Sequence, residues 1–277
     1  MLRERNIRLL VEYDGTSFAG WQIQRGQPTL QGALQEALRR VTGETPTLVV
    51  AGRTDAGVHA VGQVANFKIT SHLDAQRFAP ALNATTPAAI TVHQAVEVAL
   101  SFNAQRDAIA KRYRYRVYQG PQRAALAENR AWHVIRQLDL DAMRRAAQLL
   151  LGELDFEAFR SVHCDARHAK RHMFDIAIDA SPRPPVGQQV DIVFCANAYC
   201  RHMCRILAGT LVEVGRGQRD ALDVARVLAS RDRTQAGVTA PAGGLTLLEV
   251  AYPQDLPNPS PLTAIVCRAR SAQGPPL

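Results

Sequence analysis

The chain has 277 residues, of which 47% are hydrophobic and 21% charged, a balance typical of a folded globular protein and not of a disordered one. Its formal net charge of +8 favours a polyanionic partner. The N-terminal MLRERNIRLL lacks the apolar core of a secretory signal, and no stretch reaches the ~18 apolar residues of a membrane span, so we expect a cytoplasmic protein.

The first part of the chain predicts alternating strands and helices. Four segments have the pattern of strands: 6–14, 47–51, 62–69 and 90–98. A helix is predicted over 28–43, because Leu30, Leu34 and Leu38 recur every four residues between Pro28 and Gly43. A second helix is predicted over 75–83.

A second unit with a similar α+β pattern is predicted to begin near residue 104. Its predicted strands are 111–119, 174–180, 188–197 and 245–252. Its predicted helices are 139–152, with Asp139 as the N-cap, 199–215 and 220–230. We therefore predict an N-terminal domain at 1–103, a C-terminal domain at 104–252 and a loose, Pro-rich tail at 253–277.

Asp55 is the most prominent candidate for chemistry. It stands in AGRTDAGVHAVGQVANF, residues 51–67, where Gly52 and Gly57 permit a tight loop between two predicted strands. The spacing alone is more typical of an Asx-turn, in which the carboxylate binds loop amides. His59, in the same string, suits a loop or packing position better than that of a base.

Arginine and the aromatic residues give a second group of candidates. Only Lys68, Lys111 and Lys170 among the 33 basic residues are lysines. Arginine suits RNA binding because its guanidinium forms bidentate hydrogen bonds with phosphate and stacks on bases. Arginine-rich codon usage would give the same preference for arginine over lysine. In KRYRYRVYQ, alternation predicts Tyr113 and Tyr115 on one face of a strand, where they bind a base or simply pack in a core.

The cysteines and histidines admit a metal site or a structural role. Cys200, Cys204, Leu207 and Leu211 recur at helical spacing, so we expect the cysteines, with Cys195, to pack in the core. HCDARHAKRH, residues 163–172, also has ligand-like spacing, but its charge favours a mobile basic loop that contacts RNA phosphate. Five cysteines, an odd count that includes Cys164 and Cys267, indicate reduced thiols. No nucleotide-binding or calcium-binding motif is present.

The string around Asp55 closely resembles the signature of the tRNA pseudouridine synthase A family. The resemblance extends over about residues 6–252, in five ordered blocks. They are VEYDGTSFAGWQIQ with TLQGALQEAL, AGRTDAGVHAVGQVANF, AKRYRYRVY, ANAYCRHMCRILAGTLVEVGRG and AGVTAPAGGLTLLEVAY. It implies an isomerase that converts uridine to pseudouridine at positions 38, 39 and 40 of the tRNA anticodon arm, without a cofactor or a metal.

The resemblance also implies roles for four residues. Asp55 matches the catalytic aspartate, acting as nucleophile or base, and Arg205 matches its basic partner; from the sequence alone, Arg205 also fits a solvated helix face shared with Arg201. Tyr113 matches the tyrosine that packs on the flipped uracil. Arg53 matches a residue that enters the RNA to assist flipping, or it binds a phosphate instead.

The family fold implied is α+β, with two RRM-like (ferredoxin-like) halves joined in a mostly antiparallel sheet flanked by helices, an active cleft between them, and a homodimeric assembly that binds tRNA. The chain departs from the family pattern in SFNAQRDA, where Gln105 replaces the usual arginine and Arg106 follows it. We assign no role to either residue. Two other functions stay open: a catalytically silent RNA-binding module, and a metal-dependent hydrolase that uses the Cys/His clusters.

Overall fold

The computed structural model describes residues 3–253, 262–263 and 265–266. They form an α+β fold with ten strands and five α-helices among the described residues. Two compact units are present, one formed by the described residues up to Ala108 together with Thr246–Pro253, the other by Ile109–Leu245. Within the described part of the chain, no helix is long and apolar enough to cross a membrane.

The first unit is an open sheet with two helices. Its strands are β1 (Arg5–Tyr13), β2 (Val49–Val50), β3 (His59–Ile69), β4 (Ile90–Val98) and β10 (Leu245–Ala251), and its helices are α1 (Leu30–Thr42) and α2 (Ala75–Asn83). The strand order is β4-β1-β3-β10, and β2 also pairs with β3. β1 is antiparallel to both of its neighbours, whereas β10 is parallel to β3.

The helix predicted over 28–43 is confirmed as α1, and both of its ends are capped. Thr29 is the N-cap, its side-chain oxygen accepting from the Gly32 amide at 3.3 Å, and Gly43 closes the helix in the left-handed region with φ of 76°. Leu30, Leu34 and Leu38 are fully buried, which is the face that their spacing predicts.

The second unit is a mostly antiparallel sheet with three helices. Its strands are β5 (Ala110–Gln119), β6 (Trp132–Val134), β7 (Gly152–Asp155), β8 (Lys170–Pro182) and β9 (Gln188–Ala196); its helices are α3 (Leu140–Gln148), α4 (Met203–Gly215) and α5 (Asp223–Ser230). The order is β5-β9-β8-β7, with β6 parallel to β5. Asp139 caps α3 as predicted, because its carboxylate accepts from the Ala142 amide at 2.8 Å.

Three element predictions for this unit are wrong in part. The helix predicted over 139–152 ends at Gln148, because Gly152 takes φ of 96° and begins β7. The helix predicted from residue 199 begins at Met203, because His202 is left-handed, with φ of 63°. Residues 170–172 of the predicted basic loop belong to β8, where they pair with Glu153–Asp155.

The compact units of the structure have other bounds than the domains predicted at 1–103 and 104–252. The assignment of those domains stays a prediction. The structure divides after Ala108 and places Thr246–Pro253 with the first unit, because β10 pairs with β3 at Thr246–His59 and Leu247–Ala60. The predicted tail lies largely outside the described residues. Its described residues are Pro253, which is exposed, and residues 262–263 and 265–266, which are helical; Leu262, Thr263 and Val266 are buried.

Candidate functional site

Asp55 lies on a short loop between β2 and β3 whose main chain is fixed by another segment. The Trp21 amide donates to the Thr54 carbonyl at 3.0 Å, and the Gly57 amide donates to the Phe18 carbonyl at 3.4 Å. Within the loop, the Val58 amide donates to the Asp55 carbonyl at 3.2 Å and closes a turn. The carboxylate is therefore presented from a backbone held on both sides, while Asp55 itself is half-buried.

A buried network of hydrogen bonds also supports the loop that carries Asp55. The Tyr13 hydroxyl lies 2.8 Å from the Thr54 hydroxyl, and the Gln63 side-chain amide donates to Tyr13 at 3.2 Å and to the Gly52 carbonyl at 2.8 Å. Burial raises the pKa of Tyr13 to about 12, although these hydrogen bonds act to lower it. Tyr13 is therefore a neutral donor and acceptor, and the network fixes the residues on either side of Arg53.

A side chain does not fit at Gly20, because the backbone there lies close to the backbone of the loop that carries Asp55. Gly20 has φ of 97°, and a Cβ there would lie 2.7 Å from the Thr54 carbonyl oxygen and 3.1 Å from the Ala56 amide nitrogen. Any side chain would push the loop that carries Asp55 away from the segment that holds it. The sequence pattern alone does not indicate this contact, because its partners are more than thirty residues apart.

We expect Gly20→Ala to lower the free energy of unfolding by more than about 2 kcal/mol, because left-handed strain of about 1–2 kcal/mol adds to the backbone clash. Gly26→Ala is the matched control: Gly26 also has positive φ, 72°, but a Cβ there meets nothing within 4 Å. Urea denaturation of both variants measures the difference. Equal destabilisation of the two would show that Gly20 is needed only for its conformation.

His59 has a packing role, which confirms the expectation from sequence. It is 3% exposed at the start of β3, and its Nδ1 lies 3.0 Å from an Asp14 carboxylate oxygen and 3.1 Å from the Gly15 amide nitrogen. These contacts connect the end of β1 to the start of β3. His59 is thus part of the support of the loop.

Tyr113 and Tyr115 lie on the same face of β5, as the alternation predicts. Both are buried, and Tyr115 packs edge-on against Trp132 and donates to the Pro241 carbonyl at 2.9 Å. Tyr113 meets Tyr199 edge-on, with ring centroids 5.0 Å apart. Tyr115 is therefore a core tyrosine, whereas Tyr113 belongs to an aromatic pair with Tyr199.

Arg205 is held in place by its neighbours and is not a solvated helix residue. Its Nε donates to the Ala240 carbonyl at 2.8 Å, and the Ala240 amide donates back to the Arg205 carbonyl at 3.1 Å. Burial raises the pKa of Tyr115, and the nearby Arg205 charge opposes that rise. The alternative that Arg205 shares an exposed face with Arg201 is wrong, because Arg201 precedes α4 and is exposed, whereas Arg205 is half-buried.

The four predicted site residues divide between the two units. Arg53 and Asp55 are on the loop of the first unit, and Arg53 is exposed; Tyr113 and Arg205 are in the second unit. The predicted approach of Arg205 to Asp55 joins residues of different units and stays a prediction.

Gln105 and Arg106, where the chain departs from the family pattern, both donate from the backbone amide to the Asn103 side-chain oxygen. These hydrogen bonds are structural, and we assign neither residue a chemical role.

The cysteines pack as predicted. Cys195, Cys200 and Cys204 are buried, as are Leu207 and Leu211 of α4, and burial raises the pKa of Cys200 to about 11. Cys200 is therefore a protonated thiol at neutral pH. Among the described residues no group of three or more His, Cys, Asp or Glu side chains is placed to hold a metal ion. In the loop before β8, Cys164 accepts a hydrogen bond from the Arg201 amide.

Comparison with known proteins gives consistent matches over most of the chain. The family model described as tRNA pseudouridine synthase matches residues 9–105 and 146–253. A protein of Myxococcus xanthus named tRNA pseudouridine synthase A is 44% identical over 255 residues, 92% of this chain and 95% of its own. Proteins of the same name from Syntrophotalea carbinolica and Geotalea daltonii are 45% and 41% identical, each over 90% of this chain and over 97% and 100% of their own length.

A solved structure of an unknown protein from Galdieria sulphuraria is 10% identical, with a TM-score of 0.19 over 70% of this chain and 82% of that one. A similarity at this level supports no argument about the fold.

Proposed function

Because the chain belongs to the tRNA pseudouridine synthase family, whose members are isomerases, we propose that it converts uridine to pseudouridine at positions 38, 39 and 40 of the tRNA anticodon arm. The observation that carries this proposal is the position of Asp55. It stands within the matched residues 9–105, on a loop whose backbone is fixed on both sides.

The reaction exchanges one bond to ribose for another. The N1–C1′ glycosidic bond breaks, the detached uracil turns in its pocket, and C5 bonds to C1′; C5 then loses its proton, and N1 gains one. No oxidant and no energy source are needed. A carboxylate acting as nucleophile on the sugar or the base, or as a base on the ribose, provides the single protein group required, and Asp55 has that role in the proposal.

The two residues of the second unit complete the proposed site. Arg205, permanently charged, would favour the ionised form of Asp55 and oppose the rise in pKa that burial of a carboxylate causes. Tyr113 would hold the flipped uracil by stacking, worth about 1–3 kcal/mol per base. The bonds of Arg205 to Ala240 and the contact of Tyr113 with Tyr199 support these roles, because both side chains are held before substrate binds.

Arg53 would fill the space that the extruded nucleotide leaves, or bind a phosphate beside it. We expect Arg53→Ala to lower turnover roughly ten- to a hundredfold, while unfolding free energy changes by less than about 0.5 kcal/mol because the side chain is exposed. Arg25→Ala, which removes another exposed arginine of the same unit, is the control. Undiminished turnover at saturating tRNA in Arg53→Ala would exclude a flipping role.

The element order of the first unit supports the proposal of an RRM-like half. β1, α1, β2, β3, α2 and β4 follow one another as βαββαβ, and the strands pair as β4-β1-β3 with β2 on β3. We extend the proposal to a second such half, an active cleft between the halves, a homodimer and a cytoplasmic location. These points rest on the family resemblance.

The direct test is incubation of the purified protein with unmodified tRNA in the presence of EDTA, followed by mapping of pseudouridine with a carbodiimide label. We expect label at one or more of positions 38, 39 and 40, and none elsewhere. Binding without any pseudouridine would instead indicate a silent RNA-binding module. Cleavage of the RNA that EDTA abolishes would indicate a metal-dependent hydrolase.

A further inference from the structure

Two buried cations, Lys111 and Arg171, lie on the face of the second unit's sheet that carries Tyr113. Each is only 8% exposed. Lys111 and Met173 both pair with Ala196 of β9, so the three residues form one row across the sheet and point to the same side. Arg171 precedes Met173 by two residues, and Lys111 precedes Tyr113 by two, so alternation puts all their side chains on that side.

Neither cation has an acidic partner among the described residues. Arg171 donates through one terminal nitrogen to the His168 and Lys170 carbonyls at 3.0 and 2.6 Å, but its Nε is buried without an acceptor. The Lys111 ammonium makes no ion pair or hydrogen bond within the described part of the chain. The Tyr199 hydroxyl contacts the main chain of Lys111 instead, because it donates to the Lys111 backbone carbonyl.

Two acids of the neighbouring segment, Asp155 and Glu157, are already engaged. Asp155, which pairs with Lys170 across the sheet, forms an ion pair with Arg231 at 3.0 Å. Glu157 forms an ion pair with Arg160 at 2.7 Å. Neither carboxylate is therefore available to neutralise Lys111 or Arg171 without losing its own cation.

This arrangement is costly for the protein alone. Burial and, to a smaller extent, the charge of Arg171 together lower the pKa of Lys111 to about 8. The two cations therefore repel each other in a poorly solvated place. At neutral pH, Lys111 is still largely charged. A buried charge without a partner destabilises a fold, and an apolar residue of similar size would remove that cost. An anion bound between the two cations would also remove it.

We propose that the pair formed by Lys111 and Arg171 binds a backbone phosphate of the RNA substrate, beside the nucleotide that Tyr113 holds. The proposal rests on the function proposed above. The shared face with Tyr113 favours an RNA phosphate over a free anion, and so does the net charge of +8. Lys111 and Arg171 are then positioning residues, because phosphate contacts fix the register of the RNA without reading its sequence.

The test measures the affinity of an unmodified anticodon stem-loop RNA as a function of KCl concentration. We expect Lys111→Met and Arg171→Met each to weaken binding about tenfold or more, and to reduce the slope of log affinity against log salt by about one. Lys111→Arg keeps the cation and should keep the slope. Lys68→Met and Arg145→Met, which remove exposed cations, are the matched controls for net charge, and should change the slope by much less.

Urea denaturation of the same variants separates binding from folding. We expect Lys111→Met to be at least as stable as wild type, because it removes a buried charge. Weaker RNA binding by an equally stable variant supports the proposal. Unchanged affinity and unchanged salt slope in both methionine variants would overturn it, whatever their stability.

Two further measurements distinguish an RNA phosphate from a free anion. They also distinguish failure of the phosphate site from failure of the proposed isomerase function. If inorganic phosphate raises the wild-type melting temperature at constant ionic strength, while the variants bind RNA normally, the site serves a free anion and the proposal is wrong. If the variants lose RNA affinity but wild type forms no pseudouridine, the phosphate site stands and the proposed isomerase function fails. Pseudouridine formation by wild type with normal salt slopes in the variants overturns only the phosphate site.

Discussion

Asp55→Ala should abolish pseudouridine formation, lowering the single-turnover rate by a factor of about 10⁴ or more, while tRNA still binds. The physical reason is that the carboxylate is the one protein group that the proposed reaction requires. Its loop is held by main-chain bonds of Thr54 and Gly57 that the substitution does not remove. The measurement is pseudouridine formed on unmodified tRNA, with binding followed separately by filter retention.

Asp74→Asn is a suitable control for Asp55→Ala. Asp74 is an exposed acid of the same unit that precedes α2 without a side-chain capping bond, so its loss should affect neither folding nor turnover. If Asp55→Ala keeps more than a tenth of wild-type activity, Asp55 is not the reactive group. If it loses activity and tRNA binding together, the role of the loop is in binding rather than chemistry.

Arg205→Met should lower the single-turnover rate by roughly a hundredfold or more, because the proposal gives Arg205 the role of a charge at the reacting group, and such a charge contributes on that scale. Arg205→Lys should recover little of the loss: lysine keeps the charge but cannot reproduce the planar fork that binds the Ala240 carbonyl through Nε. Rates on unmodified tRNA at saturating enzyme provide the comparison.

The control for Arg205 is Arg201→Met, four residues earlier, before the start of α4, and exposed. Because Arg205→Met also loses a hydrogen bond, we expect its unfolding free energy to fall by about 1 kcal/mol, and urea denaturation checks that the protein is folded in the assay. Activity in Arg205→Met above half of wild type would exclude Arg205 from the site. An equal loss in Arg201→Met would point to general binding of RNA by both arginines.

Local patterns in the sequence predict most of the elements, because those elements depend on local interactions. The leucine spacing of α1 and the cap at Asp139 are set within a few residues, and both are confirmed. The short strands β6 and β7, three and four residues long, have too few residues for a periodicity, and they form because longer strands pair with them.

The support of the candidate site depends on contacts between distant residues, which the sequence does not reveal. Gly20 is required by the carbonyl of Thr54, and Tyr13 meets Gln63 fifty positions along the chain. Lys111 is a residue type usually found at the surface, and the row that it shares with Met173 buries it instead. Pairing across the sheet, rather than hydrophobic pattern, determines such positions.

If the Asp55 carboxylate performs chemistry at a uridine, the uridine loses the hydrogen on C5, and this loss can be measured. An anticodon stem-loop carrying tritium at C5 of its uridines is mixed with excess wild-type protein or with Asp55→Asn, which keeps the shape of the side chain and removes its charge. We expect wild type to release one tritium for each pseudouridine formed, and Asp55→Asn to bind the RNA but release none above the blank. Release by Asp55→Asn at the wild-type rate would show that the Asp55 carboxylate does not perform this chemistry.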